Sequence, residues 1–140
     1  MIKKILVVDD EPNVLFVLKQ SFRSGYTVLT ATSGEQALEI IESEKPDFVF
    51  LDIKMPGISG MEVLGRITGT GAAPTVWMLT GDEELETAMK ALEGGASGYL
   101  TKPFDVDKIR AIVAGAFETL EKKQGHDTSG EKPWRIKKKK

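Results

Sequence analysis

Short apolar runs alternate with amphipathic stretches along most of the chain, a pattern that predicts a succession of strands and helices. Ile5-Leu6-Val7-Val8 is apolar at every position, as expected of a strand buried on both faces of a parallel sheet. The run stops at Asp9-Asp10, and Pro12 suits the first turn of a helix, where its missing N–H costs nothing. Val14, Val17, Leu18, Ser21 and Phe22 share one face at helical spacing, with Phe16 nearly opposite and Leu15 at the edge. Gly25 closes this helix, and Tyr26 to Ala31 reads as a second strand.

Ser33 with Gln36 forms a capping box, opening a helix that turns Ala37, Leu38 and Ile41 inward. Pro46 and Asp47 break it ahead of Phe48-Val49-Phe50-Leu51, a third buried strand that ends on Asp52. Ser59 with Glu62 starts a helix bearing Val63, Leu64 and Ile67, which dissolves in the Gly- and Ala-rich stretch 69–73. Thr75 to Thr80 is the fourth strand. Asp82 caps the next helix, expected to bury Leu85, Ala88, Met89 and Leu92 and to end at Gly94-Gly95. Ser97 to Thr101 is a brief fifth strand. Asp105 caps the last helix, Phe104 and Ile109 have staple spacing, and Val106, Ile109, Val113, Ala116, Phe117 and Leu120 form its apolar stripe.

Five β-α units in strict alternation predict an α/β fold, a doubly wound parallel sheet with helices on both faces. The pattern assigns residues 1–122 to one domain and 123–140 to a flexible polar and basic tail ending in four lysines. With nothing folded expected after Leu120, the domain reads as a stand-alone unit.

Composition mainly excludes. A chain of 140 residues with 41% hydrophobic and 29% charged content can bury a full core, so it is not a disordered protein. A net charge of −2 speaks against a mainly electrostatic nucleic-acid binder. The absence of cysteine removes disulfides, thiolate metal sites and cysteine nucleophiles. No apolar run approaches the roughly 18 residues of a membrane span. The apolar stretch after Lys3-Lys4 ends at Asp9, too early for a secretory signal, so a cytoplasmic protein is expected.

The chemistry gathers at strand ends: Asp9-Asp10 after the first, Asp52 on the third, Thr80 on the fourth, Lys102-Pro103 after the fifth. In an open parallel sheet, ligands bind outside the carboxyl ends of the strands, where strand order reverses. Crowded carboxylates raise one another's pKa or demand a cation, and Lys102 offsets only one charge. An all-oxygen donor set that leaves positions to water fits Mg²⁺, or Mn²⁺, better than zinc. Such an ion, a Lys ammonium and a small hydroxyl are what phosphoryl transfer needs, and one carboxylate can itself be the nucleophile. Asp52 stands alone on the central strand and is the candidate; Gly81 leaves room beside Thr80 for the phosphoryl group.

From about Ile2 to Leu120 the chain resembles the receiver domain of two-component response regulators. The resemblance rests on Val7-Val8-Asp9-Asp10-Glu11, Leu51-Asp52-Ile53-Lys54-Met55-Pro56-Gly57, Leu79-Thr80-Gly81 and Lys102-Pro103-Phe104, in that order and spacing. It implies a flavodoxin-like five-stranded sheet of order 2-1-3-4-5 with five helices. It implies phosphorylation of Asp52 from a histidine kinase. Mg²⁺ would be held by Asp10, Asp52 and the Lys54 backbone carbonyl, with Asp9 reaching through water. Lys102 would pair with phosphoryl oxygens across a cis bond to Pro103. Thr80 and Tyr99 would form the switch, Tyr99 turning inward as the Thr80 hydroxyl moves toward the phosphate.

Phe16 and Leu15, on the helix leaving Asp9-Asp10, are candidate contacts for the helices of a kinase or a histidine phosphotransfer protein. The resemblance also implies that Lys54 and Asp82 flank the path of hydrolytic water, and their pairing would lengthen the life of an acyl phosphate. His126, Trp134 and the terminal lysines read as solvated tail. The expected output is an unidentified effector or a phosphorylation-dependent dimer. No direct nucleic-acid binding and no enzymatic activity beyond the domain's own phosphorylation and dephosphorylation are expected. Two other roles are a phosphorelay intermediate and a Mg²⁺-dependent aspartyl-phosphate phosphatase, although the latter wants an acid where Lys54 stands. A flavin module would need a Ser/Thr/Gly loop where Asp9-Asp10-Glu11-Pro12 stands.

Overall fold

A computed structural model describes residues 3–68, 73–81 and 85–125 of the chain. Asp82, the stretch 69–72 and everything from His126 onward lie outside the described residues, so the expected Asp82 cap, its pairing with Lys54 and most of the tail are not addressed. The elements alternate as β1 (Lys4–Val8), α1 (Pro12–Phe22), β2 (Thr27–Ala31), α2 (Gly34–Glu44), β3 (Phe48–Asp52), α3 (Gly60–Thr68), β4 (Thr75–Thr80), α4 (Leu85–Glu93), β5 (Gly98–Thr101) and α5 (Val106–Gly125). The chain divides into two compact units, Met1–Val106 and Asp107–Lys140. The first holds the sheet and α1 to α4. The second holds nearly all of α5, whose Ile109, Val113 and Phe117 are buried and whose helix continues past Lys122 to Gly125.

All strand pairs are parallel, in the order β2-β1-β3-β4-β5. The sheet is the flavodoxin-like arrangement, with its reversal of strand order between β1 and β3. The apolar runs explain it, because β3 is buried at all five positions, as a strand with both faces covered must be. Leu6, Val8, Val49, Leu51, Val76 and Met78 form one face, packed with Ala37, Val63, Leu64, Ile67, Ala88 and Ala91 of α2, α3 and α4. On the other face Phe22 of α1 stacks on Phe50 at a centroid distance of 6.2 Å, and Phe48 lies 4.8 Å from Phe50.

Local signals act much as expected at the helix starts. Ser33 and Ser59 accept from the N–H of Gln36 and Glu62 at 3.1 and 3.2 Å. Neither box closes reciprocally: Gln36 turns to the Thr32 N–H at 2.8 Å, and Glu62 pairs with Arg66 at 2.7 Å. Two helix faces need correction. Val17 is exposed on α1, where Leu18 and Phe22 make the buried stripe. On α4, Leu85, Met89 and Leu92 face outward, Met89 with 61% exposure, while Ala88 and Ala91 lie fully buried against the sheet side. Alanines let the helix backbone come close, so the packed stripe is the small one beside the large one.

Gly60, the first residue of α3, sits directly on the Asp52 carbonyl, and a Cβ there would collide with backbone that cannot yield. Gly60→Ala is therefore expected to lose about 1–3 kcal/mol of stability, seen as a lower urea midpoint. Gly65, in the same helix with nothing near its Cβ position, provides the contrast: Gly65→Ala should gain about 0.5–1 kcal/mol in the same titration.

Candidate functional site

The register aligns the carboxyl ends of four strands. Val8 pairs with Leu51, Asp52 with Leu79, and Thr80 with Thr101. Backbone bonds extend the ladder one residue further: Asp9 N–H to the Ala31 carbonyl at 3.1 Å, Ile53 N–H to Leu79 at 3.1 Å, and Lys102 N–H to Thr80 at 2.9 Å. Each reactive side chain thus leaves backbone already held by its neighbour strand. The bond between Lys102 and Pro103 is cis.

Asp9, Asp10 and Asp52 each bring one carboxylate oxygen within 4.8 Å of the others. Asp9 and Asp52 are buried and Asp10 is exposed. Lys102 Nζ lies 3.0 Å from Asp9 Oδ2, 2.9 Å from Glu11 Oε1 and 3.7 Å from Asp52 Oδ2. The Asp9 contact is an ion pair without hydrogen-bond alignment, so buried Oδ2 has no hydrogen-bond partner, while Oδ1 accepts the Glu11 N–H at 2.9 Å.

One ammonium among four carboxylates leaves the edge short of positive charge. Burial pushes the Asp52 carboxyl up from the ordinary 3.8 to about 7, and the charge of Asp9 adds to the rise. Lys102 and the Lys54 N–H pull it back only in part. Burial also works against the charge of Lys102, yet Glu11, Asp9 and Asp52 outweigh it and hold the ammonium above its ordinary range. A buried oxygen with an open lone pair, an underpaired acid and an all-oxygen donor set are what a divalent cation fits.

Thr80 is buried at the same edge, and its hydroxyl donates to the Gly81 carbonyl at 2.9 Å. Tyr99 on β5 pairs with Met78 while Thr101 pairs with Thr80, so Tyr99 and Thr80 share a sheet face. Tyr99 is half-buried and packed on the core. Leu15 is half-buried and Phe16 is 64% exposed on α1. The Lys54 side chain is exposed.

Two acids escaped the sequence reading. Glu11 was part of the Asp9-Asp10-Glu11 motif, but its reach to Lys102 depends on strand order. Glu35, in the first turn of α2, accepts the Ile58 N–H at 3.4 Å and underlies Gly57, bracing the loop that follows Asp52. Its position two residues after a cap carried no sign of that contact.

Strand order and acidic edge put the domain in the flavodoxin-like α/β class, with its chemistry at the switch point between β1 and β3. The family model of the response regulator receiver domain matches residues 5–114. The chain belongs to that family, the signalling domains of two-component systems. It is 40% identical over 114 residues to Sporulation initiation phosphotransferase F of Bacillus subtilis, covering 81% of this chain and 92% of that one. It is 42% identical over 114 residues to the alkaline phosphatase synthesis transcriptional regulatory protein PhoP of the same organism, covering 81% of this chain but 48% of PhoP. The chain thus spans about half the length of that regulator. Among solved structures, a CheY-like receiver domain protein from Methanospirillum hungatei superposes with a TM-score of 0.82 at 30% identity, covering 88% and 99% of the two chains. The beryllofluoride-activated DrrB receiver domain gives 0.77 at 34%, covering 84% and 99%. Among the described residues, no helix is long and apolar enough to cross a membrane.

The raised Asp52 pKa has a stability consequence with a definite sign. The folded value lies above the unfolded one, so the favourable contribution is complete below about pH 4 and is lost as pH rises through 7. In metal-free buffer, Asp52→Asn should stabilise the protein by about 2 kcal/mol at pH 8 and by almost nothing at pH 4, as read by urea unfolding. Adding a divalent cation should shrink the difference at pH 8 by stabilising the parent alone.

Proposed function

We propose that the domain is a phosphoacceptor switch in which Asp52 takes a phosphoryl group from a histidine kinase or a histidine phosphotransfer protein. The observation that carries this reading is Asp52 itself, a buried carboxylate among Asp9, Asp10 and Lys102 with too little positive charge around it. An Asp52 oxygen would attack the donor's phosphorus, forming a P–O bond as the P–N bond breaks, and the freed imidazole nitrogen would keep the electron pair. Asp10, Asp52 and the Lys54 carbonyl would hold Mg²⁺ or Mn²⁺, with Asp9 behind them. When bound, the ion neutralises charge on the phosphoryl oxygens. Lys102 supplies the second counter-charge. Thr80 would release the Gly81 carbonyl to donate to the phosphoryl group, and the space it leaves would draw Tyr99 further inward.

In this reading the domain catalyses nothing beyond its own phosphorylation and dephosphorylation. Phe16, with Leu15 beside it, lies on the helix that begins just after Asp9-Asp10 and would meet the donor's helices. The output would be a protein partner or a phosphorylation-dependent dimer. A relay role is favoured by one observation: a relative covered over 92% of its length is named a phosphotransferase. The relay intermediate would return its phosphate to another histidine protein through the same Asp52.

Incubation with a phosphorylated histidine donor and Mg²⁺ should label the protein with acid-stable, alkali-labile phosphate. Asp52→Asn should abolish the label, and chelation should reduce it at least a hundredfold. Labelling that survives Asp52→Asn would sink the assignment. Phe16→Ala should slow transfer from the protein donor about tenfold while leaving labelling by acetyl phosphate unchanged, since a small donor needs no docking surface.

A further inference from the structure

Among the described residues, Glu11 is a charged group at this edge that the proposed function leaves unused. It is the N-cap residue of α1, yet its side chain makes no capping bond. Its N–H is tied to Asp9 Oδ1 at 2.9 Å, and its carbonyl accepts from Val14 and Leu15 at 3.1 and 3.3 Å, so the backbone is held from both sides. The carboxylate, 59% exposed, turns to Lys102 instead. Lys102 donates to Glu11 at 2.9 Å and stands 3.0 Å from Asp9 in an ion pair without hydrogen-bond alignment, and this placement holds it 3.7 Å from Asp52, beyond hydrogen-bond reach.

We propose that Glu11 is a positioning residue that parks Lys102 short of Asp52, so that Lys102 must release Glu11 to engage a phosphoryl group there. The inference rests on the phosphoacceptor reading of Asp52. It adds a residue that sets how readily the edge accepts a phosphoryl group without touching the nucleophile. Glu11 also makes the largest favourable contribution to keeping Lys102 charged. An ion pair this open to solvent is worth up to about a fivefold change in an equilibrium, which is a tuning effect and not a lock.

The test titrates beryllofluoride, with saturating Mg²⁺, into the parent protein, Glu11→Gln and Glu11→Asp, following backbone NMR shifts of Thr80 and Gly81. Glu11→Gln removes the charge. Glu11→Asp keeps it but withdraws the carboxylate by one methylene. Positioning predicts about three- to fivefold tighter binding for both variants. It also predicts a shift of the Lys102 ammonium nitrogen resonance in both before beryllofluoride is added. Tighter binding by Glu11→Gln alone, with Glu11→Asp behaving as the parent, would mean a charge effect and overturn the proposal. Equal binding by all three proteins would overturn it too. A parent that binds no beryllofluoride would bring down the phosphoacceptor reading, and this inference with it, whereas a binding parent with indifferent variants removes Glu11 alone.

Discussion

Asp52 is a carboxylate carried into the protein interior at the end of a fully apolar strand, and the cost of its charge organises everything around it. Moving a carboxylate out of water without a partner costs several kcal/mol, so the group neutralises itself or recruits opposite charge. Here the recruitment is incomplete. Lys102 stands 3.7 Å away and divides its attention between Asp9 and Glu11. The consequence is a carboxyl pushed up to about 7 in the absence of a cation, in a site whose remaining oxygens suit one.

The sheet makes such an edge cheap to assemble. A parallel sheet brings strand ends that are far apart in sequence to one border, and here the ladder runs one residue past β1, β3 and β5 to hold Asp9, Ile53 and Lys102. Asp9, Asp52, Thr80 and Lys102 are positioned by the ladder itself. The β3–α3 loop, which carries Lys54, is braced by Glu35 below Gly57 and by the fit of Gly60 on the Asp52 carbonyl. The bracing is therefore concentrated under Asp52, while Lys102 and Glu11 stay partly in solvent.

The element order and the gathering of Asp9, Asp10, Asp52, Thr80 and Lys102 at one edge were legible because strand burial and strand-end chemistry are local patterns. The apolar run of β3 and the acid that ends it announce themselves within five residues. What was not legible depends on choices between nearly equal local alternatives or on contacts across the fold. On α4 two apolar stripes lie side by side, and only the closeness of helix to sheet decides that Ala91 joins the expected Ala88 in the packed stripe in place of Leu85, Met89 and Leu92. The capping boxes were half right, since Thr32 and Arg66 offered Gln36 and Glu62 better partners than the cap N–H groups did. Glu11 stood in a recognised motif, but its partner lies 91 residues along the chain.

The proposed function also sets an energy scale that no single contact at this edge can meet. Turning a two-state element from about 1:99 to 99:1 takes a differential of about 5.5 kcal/mol between its states. A Thr80 hydroxyl exchanging the Gly81 carbonyl for a phosphoryl oxygen gains about 1–2 kcal/mol, since it trades one hydrogen bond for a charge-assisted one. Lys102 moving from Glu11 to a phosphoryl group gains little more, because it gives up one ion pair to make another. The rest must come from groups that respond to the dianion together: the ion held by the aspartates, the Lys54 N–H on Asp52, and the core that takes Tyr99. A switch built this way is graded. Its resting bias would be the sum of several small preferences, and an exposed residue such as Glu11 would adjust that sum without any change in Asp52 or the fold.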